Sequence, residues 1–220
     1  PARLFCRLVT TNGAVLTYPL DTSMRLLYQS HFNKHAVRPP WAGRDLQIPL
    51  VLMASQSFFR ADEVPLSRLA ATTLIEENIT GYTWHWRRNE NVRGDQLAVG
   101  TMVADLGIGM HSHCQLAFDL PDGAMSFSTW VGIDEAVGSG GCVRCRVFLD
   151  EVAGEPAWSS GLLQGVDEPA AVNIPDLQGA KRLILVAEFA DEDHPPDSDP
   201  FDLRDEVAWL FPTVVVRSAN

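Results

Sequence analysis

Trp84 and Trp86 flank His85 just ahead of a polar stretch, residues 87–91, that holds Asn89 and Asn91. An indole offers a flat apolar face, and amide, guanidinium and imidazole groups select among hydroxyls, so this set of residue types suits a sugar ring; the other reading is that one or both indoles plug the end of the fold. His111 and His113 are one residue apart and project from the same face of an extended segment. That fits two metal ligands, or one buried imidazole and one exposed. Asp134 and Glu135 are adjacent, so at a strand end they point apart instead of facing each other across the roughly 5–9 Å that glycoside hydrolysis needs. Asp134 reads either as a turn residue accepting backbone N–H groups or as a ligand contact. The segment 191–206 is crowded with acids, and Asp197, Asp199 and Asp202 within it have the oxygen-rich character of a calcium loop, without the glycine and distal glutamate of an EF-hand. A solvated acidic loop is the other reading of that segment.

Composition narrows the function classes. The chain has 220 residues, 46% hydrophobic and 20% charged, with a formal net charge of -11. This is ordinary for a globular protein and long enough for one large β-domain, or for a standard domain with a small addition. The negative balance works against non-specific nucleic-acid binding and against adsorption to anionic membrane, both of which need a basic face. No stretch reaches the ~18 apolar residues of a membrane span. Pro1 opens no charged and apolar leader, so the chain reads as a piece of a longer protein whose signal peptide is absent or removed. Cys142 and Cys145 form C-x-x-C inside a strand-patterned run, which suits neither a zinc site nor a redox helix. Cys114 and Cys145 read as small core hydrophobes. Gly107-Ile108-Gly109 lacks the third glycine and the helix of a dinucleotide loop, and no nucleophile elbow is present, so the motifs lean towards binding over catalysis.

The elements that must position these residues alternate with a period of two. Leu116, Phe118 and Leu120 share one face, as do Phe127, Thr129, Val131 and Ile133, and later Val143, Cys145, Val147 and Leu149, with Arg144 and Arg146 turned the other way. Strands are predicted over residues 142–150, 170–174, 182–189 and 208–217, with Gly- and Pro-bearing turns between them. Residues 106–111 read as a glycine-rich loop carrying His111. Many short strands with regular turns predict an all-β, antiparallel two-sheet β-sandwich. At the N-terminus, residues 3–9 and 14–20 flank Thr-Thr-Asn-Gly, a hairpin cue. Residues 25–30 add a strand, 31–45 read as a loop, and 46–54 as a buried or edge strand. Residues 1–63 thus form a small β-rich unit packed on the sandwich, or extra strands of it, and residues 64–217 form the sandwich.

The order of motifs resembles the NPCBM/NEW2 domains, a bacterial carbohydrate-binding family with a galactose-binding-like jelly roll. Pro65-Leu66-Ser67-Arg68-Leu69 matches the opening segment; Arg88-Asn89, Val92, Gly94, Leu97 and Gly100 match the polar stretch. Gly107, Gly109 and His111 match G-x-G-x-H, and residues 131–135 match the VG-[VI]-D-[DE] turn. Trp158, Ser160-Gly161, the strand 183–189, Asp205 and Trp209 follow in order. Cys114 stands where the family has a serine, and Ala208 and Phe211 where acids are common. The resemblance implies a non-catalytic module, part of a larger extracytoplasmic protein, that needs no cofactor and holds glycan, perhaps of galactose type, at the loop end of the sandwich. Trp84, Asn89, Asn91, His111 and Asp134 are the expected contacts. A structural or protein-interaction sandwich that has lost sugar binding is the alternative.

Overall fold

Every strand that the two-residue periodicity marks is present in the structure, a computed structural model that describes residues 4–19, 25–29, 34–38, 40–41, 44–45, 48–79, 81, 84–190, 195, 199 and 201–217. The chain divides into two units, Pro1–Glu63 and Val64–Asn220. In the second, nine strands carry the architecture: β1 (Ala71–Glu76), β2 (Gly107–His111), β3 (Cys114–Asp119), β4 (Ala124–Ile133), β5 (Cys142–Leu149), β6 (Trp158–Gln164), β7 (Ala170–Ile174), β8 (Arg182–Phe189) and β9 (Glu206–Val216). One sheet runs β1-β3-β8-β5-β6; the other runs from the short strand Arg87–Arg88 through β2-β9-β4-β7. All of these pairings are antiparallel. The inner faces bury Leu116, Phe118, Phe127, Val131, Val143, Cys145, Val147, Leu185 and Trp209 together. Arg144 and Arg146 lie on the other side of β5, half-buried, so the sequence register holds.

Residues 107–111 are corrected from loop to strand. All five are buried, and glycine is required because another chain segment occupies the space a side chain would take. A Cβ at Gly109 would meet the Glu90 carbonyl oxygen and stand 2.6 Å from the Asn91 Cα. A hairpin, Leu97–Val99 with Met102–Ala104, covers the outer face of β9 and β4 in the same way, with Val99 filling the space beside Gly132. Ala208 and Leu210 form a second small core with Leu97, Val99 and Ala104, against which Phe211 packs. An acid at position 208 would lie in that apolar layer, which gives the departure from the family pattern its physical reason.

In the first unit, Leu4–Thr10 pairs with Val15–Pro19 on one side and Met53–Arg60 on the other. The expected hairpin closes through Gly13, whose φ is +82° and whose N–H donates to the Thr10 carbonyl at 2.8 Å. Cys6, Leu8, Tyr18 and Ile48 make this unit's core. The loop reading of residues 31–45 gives way to strands Lys34–Arg38, Pro40–Trp41 and Arg44–Asp45. Leu50–Leu52 is a 3-10 turn with Val51 81% exposed, and it divides the expected strand into Ile48–Pro49, paired with Ala36 and Val37, and a strand that begins at Met53.

Gly109→Ala should cost about 1–3 kcal/mol in urea unfolding, because backbone cannot give way as a side-chain tip would. Native Cys145 should resist thiol labelling, since full burial pushes its pKa well above the ordinary range. Rapid modification would contradict the β5 register.

Candidate functional site

At one end of the sandwich β1, β2, β4 and β8 finish while β3, β5 and β9 begin. This brings His111, Asp134 and, from the β1–β2 connection, Trp84 to this end, whereas Asn89 lies beside Gly107 at the start of β2. Trp84 is 37% exposed and its indole lies nearly parallel to the His111 ring, with centroids 6.3 Å apart and planes 15° apart. His111 itself is buried at the end of β2, with Nδ1 3.5 Å from the Ser112 hydroxyl and Nε2 lacking a partner. Burial lowers its pKa, against the opposing pull of Asp202 and Glu206, so the imidazole under the indole is neutral at pH 7. His111 thus underlies the partly exposed Trp84 indole.

Trp86 differs. Its Nε1 donates to the Thr73 hydroxyl at 2.9 Å, the Arg88 guanidinium lies 5.1 Å from its ring, and it packs on the main core. Glu76 fixes the strip between the two indoles, accepting the Trp86 N–H at 2.7 Å and approaching His85 Nδ1 at 3.0 Å. Arg88 also donates to the carbonyls of Ser67 and Leu69, tying the polar stretch to the opening segment of the domain.

Asn91 and Asp134 are corrected from glycan contacts to supports. Both are about 1% exposed. Asn91 Nδ2 donates to Asp134 Oδ1 at 3.1 Å, and Asn91 Oδ1 accepts the N–H groups of Arg93 and Asp95. Asp134 caps the 3-10 turn Glu135–Val137 by accepting the Ala136 N–H, and its Oδ2 accepts the Ala98 N–H at 3.3 Å. Asn89, half-buried and in a left-handed conformation at φ 60°, accepts the Gly107 N–H through Oδ1. His113 also has a positive φ, 57°, and its ring packs against Phe189, so the shared face expected for the two histidines does not form.

Arg93 and Glu206 were not singled out by the sequence reading, yet they complete the site. Glu206 stands directly opposite His111 in the β2–β9 ladder and is 1% exposed. Arg93 grips it in a fork, Nε at 2.9 Å from both carboxylate oxygens and Nη2 at 2.7 Å from Oε1. The Arg93 side chain remains 41% exposed, with its guanidinium oriented by Glu206. The only sequence signal for this pair was a basic residue inside a polar loop and an acid at the head of an apolar strand.

The acids expected to hold calcium fall differently. Asp197 lies outside the described residues. Asp199 pairs with Arg204 Nε at 2.7 Å. Asp202 is buried, with Oδ2 accepting the Ile79 N–H at 2.9 Å, which anchors the segment leading to Trp84. Among the described residues no group of three or more His, Cys, Asp or Glu side chains is arranged to hold a metal ion. Asp205 accepts the Cys142 N–H at 2.8 Å, yet burial, reinforced by Asp202 and Asp199, pushes its pKa up to about 7.

An antiparallel jelly roll presenting a stacked indole and an oriented guanidinium at its loop end is the architecture of a carbohydrate-binding module. A family model described as NPCBM/NEW2 domain matches residues 63–203, and the chain belongs to that family. Among solved structures, CBM51 from Clostridium perfringens GH95 in complex with methyl-galactose aligns with a TM-score of 0.55 and 24% identity, covering 70% of this chain and 99% of that one. CBM51-2 with GlcNAc and INT domains from Clostridium perfringens ZmpB aligns with a TM-score of 0.58 and 17% identity over 92% of this chain and 43% of that chain. A larger ZmpB structure, the M60 catalytic domain with CBM51-1 and CBM51-2, aligns at 0.52 and 14% identity over 98% of this chain and 28% of that one. This chain thus spans less than half of either ZmpB structure. No curated protein matches the sequence.

The pH dependence of stability tests the buried acid. The folded pKa of Asp205 is raised, so its contribution is present in full below the unfolded value near 3.8 and is lost as pH rises through about 7. Asp205→Asn should therefore gain thermal stability relative to wild type between pH 5 and pH 8, by at most about 1.4 kcal/mol per pH unit. His111, with a lowered pKa, contributes the opposite slope in both proteins and cancels in the difference. A wild-type-minus-variant difference that is flat over this range would place Asp205 in water.

Proposed function

We propose that this module holds a neutral glycan of galactose type against Trp84, without catalysis, and that it does so outside a bacterial cell as one part of a longer protein. The observation that carries this reading is the Trp84 indole seated on neutral His111, with the exposed edge of Arg93 held by Glu206 close to His111. The apolar C–H face of a pyranose stacks on an indole, and a fixed guanidinium donates to ring hydroxyls. Methyl-galactose in the similarly folded GH95 module supports the choice of sugar. Asp134 and Glu206, each held by N–H donors, support a reading of those two carboxylates as anchors for a binding surface. The modules that accompany a catalytic domain in ZmpB support the larger context. A single shallow site of this kind binds in the millimolar to micromolar range, and tethering multiplies its effect.

Titration with methyl-galactose, together with a glycan array, tests the reading. Wild type should bind galactose-terminated glycans, and Trp84→Ala should abolish binding at a stability cost of about 1 kcal/mol, the worth of one lost aromatic stack. A loss of about 3–5 kcal/mol, as for buried aromatic truncation, would make Trp84 a core residue and remove the proposed site.

A further inference from the structure

Away from the loop end, the outer face of the β2-β9-β4-β7 sheet leaves one large side chain in water. Trp130 on β4 is 41% exposed, and its direct neighbours across the ladder are Ala171 on β7 and Leu210 on β9. Two residues away along β4, Ser128 stands between Asn173 on β7 and Thr213 on β9. Asn173, Ser128 and Thr213 thus form one row of amide and hydroxyl groups across three strands, at the roughly 4.8 Å strand spacing. The Thr213 hydroxyl donates to the Phe211 carbonyl and keeps its lone pairs for a further partner. Ser128 and Asn173 are exposed. Two residues from Trp130 in the other direction, the hairpin that covers Gly132 with Val99 closes the face, so the indole lies at the foot of a step.

Of the outward positions on these three strands that the hairpin and the loop end leave uncovered, Ser126, Ser128, Trp130, Ala171, Asn173, Thr213 and Val215, none is charged, in a chain whose net charge is -11; the outward acid Glu206 lies at the loop end, held by Arg93. The lack of charge fits an uncharged occupant. Its chemistry, one flat apolar platform beside a row of neutral donors and acceptors, fits a ligand that is apolar on one face and hydroxylated along its edges.

We propose that this sheet face is a second glycan-binding surface, which takes an extended, uncharged polysaccharide along the Trp130 platform and the Asn173–Ser128–Thr213 row. It rests on the reading of the module as glycan-binding, but not on the loop-end site. The two surfaces differ in the ligand they suit: a sugar terminus at Trp84, and the side of a chain at Trp130. A polysaccharide reaching both would gain from effective concentration.

The test is affinity electrophoresis of the 220-residue protein through gels containing a neutral β-galactan, alongside titration with methyl-galactose. Trp130→Ala should weaken galactan retardation roughly 10- to 100-fold, and Asn173→Ala should weaken it less, while both bind methyl-galactose as wild type does. Both positions are exposed, so thermal melts should show both variants folded. Retardation of Trp130→Ala equal to wild type overturns the proposal, as does an equal loss of methyl-galactose binding, which would mean a single site. Absence of wild-type retardation overturns it too. A dimer of the wild type that Trp130→Ala dissolves would assign the face to self-association and exclude the polysaccharide. Galactan binding that depends on Trp130 without any methyl-galactose binding leaves the sheet surface standing and removes only the loop-end reading.

Discussion

The loop end of this sandwich depends on the backbone of Glu90 and Asn91 lying directly on the buried strand at Gly109, with no side chain between them. That close approach does more than seal the core. It brings Asn91 within hydrogen-bonding reach of Asp134, and the turn that Asn91 then caps delivers Arg93 to Glu206. Arg87 and Arg88 pair with Gly109 and Ile108 in the same strip, so one sequence segment is sheet edge, cap and site support in turn. A side chain at position 109 lifts the segment and disturbs all of these contacts together.

Charge is the second constraint. Asp134, Asp202, Asp205 and Glu206 are nearly fully buried at this end, and removing a carboxylate from water costs several kcal/mol unless its lone pairs are met. Asp134 is met by three N–H donors and Glu206 by a bidentate guanidinium. Asp205 has the poorer compensation, with Oδ2 unpartnered, and its raised pKa is the consequence. Asp202 gives one oxygen to the Ile79 N–H, fastening the chain that leads to Trp84. The burial of these acids is structural work: they fix loops that carry no regular secondary structure, so that the exposed indole has a rigid base.

Rigidity matters because a sugar offers little binding energy. Ordering a loose loop on binding would consume much of it, and a platform already stacked on a buried imidazole avoids that loss. The same argument applies more strongly to the outer sheet face, where ladder hydrogen bonds hold Trp130 and its polar neighbours in register without any loop. Two weak, preformed surfaces on one module, as proposed, would give selectivity for ligand length as well as for sugar type.

How much of this was legible in the sequence follows from the range of the interactions involved. The strands β3, β4, β5, β7 and β8, the two-sheet class and the inward registers of Cys145 and Phe127 were readable, because side-chain alternation is a local consequence of strand geometry. The first hairpin was readable from Asn-Gly for the same reason. Residues 107–111 look like a loop in the sequence because glycine permits flexibility, whereas here tertiary contact requires it for space. The site was legible as a set of residue types and illegible as roles. Trp84 and His111 did come together, but Asn91 and Asp134 turned inward, Asn89 is half-buried against Gly107, and Arg93 with Glu206, 113 positions apart, became an exposed side chain and its anchor. Side-chain chemistry determines what a residue can bind. Which of its atoms remain free to bind is decided by long-range packing, since a carboxylate or amide that is buried with its N–H donors as the chain closes no longer faces a ligand.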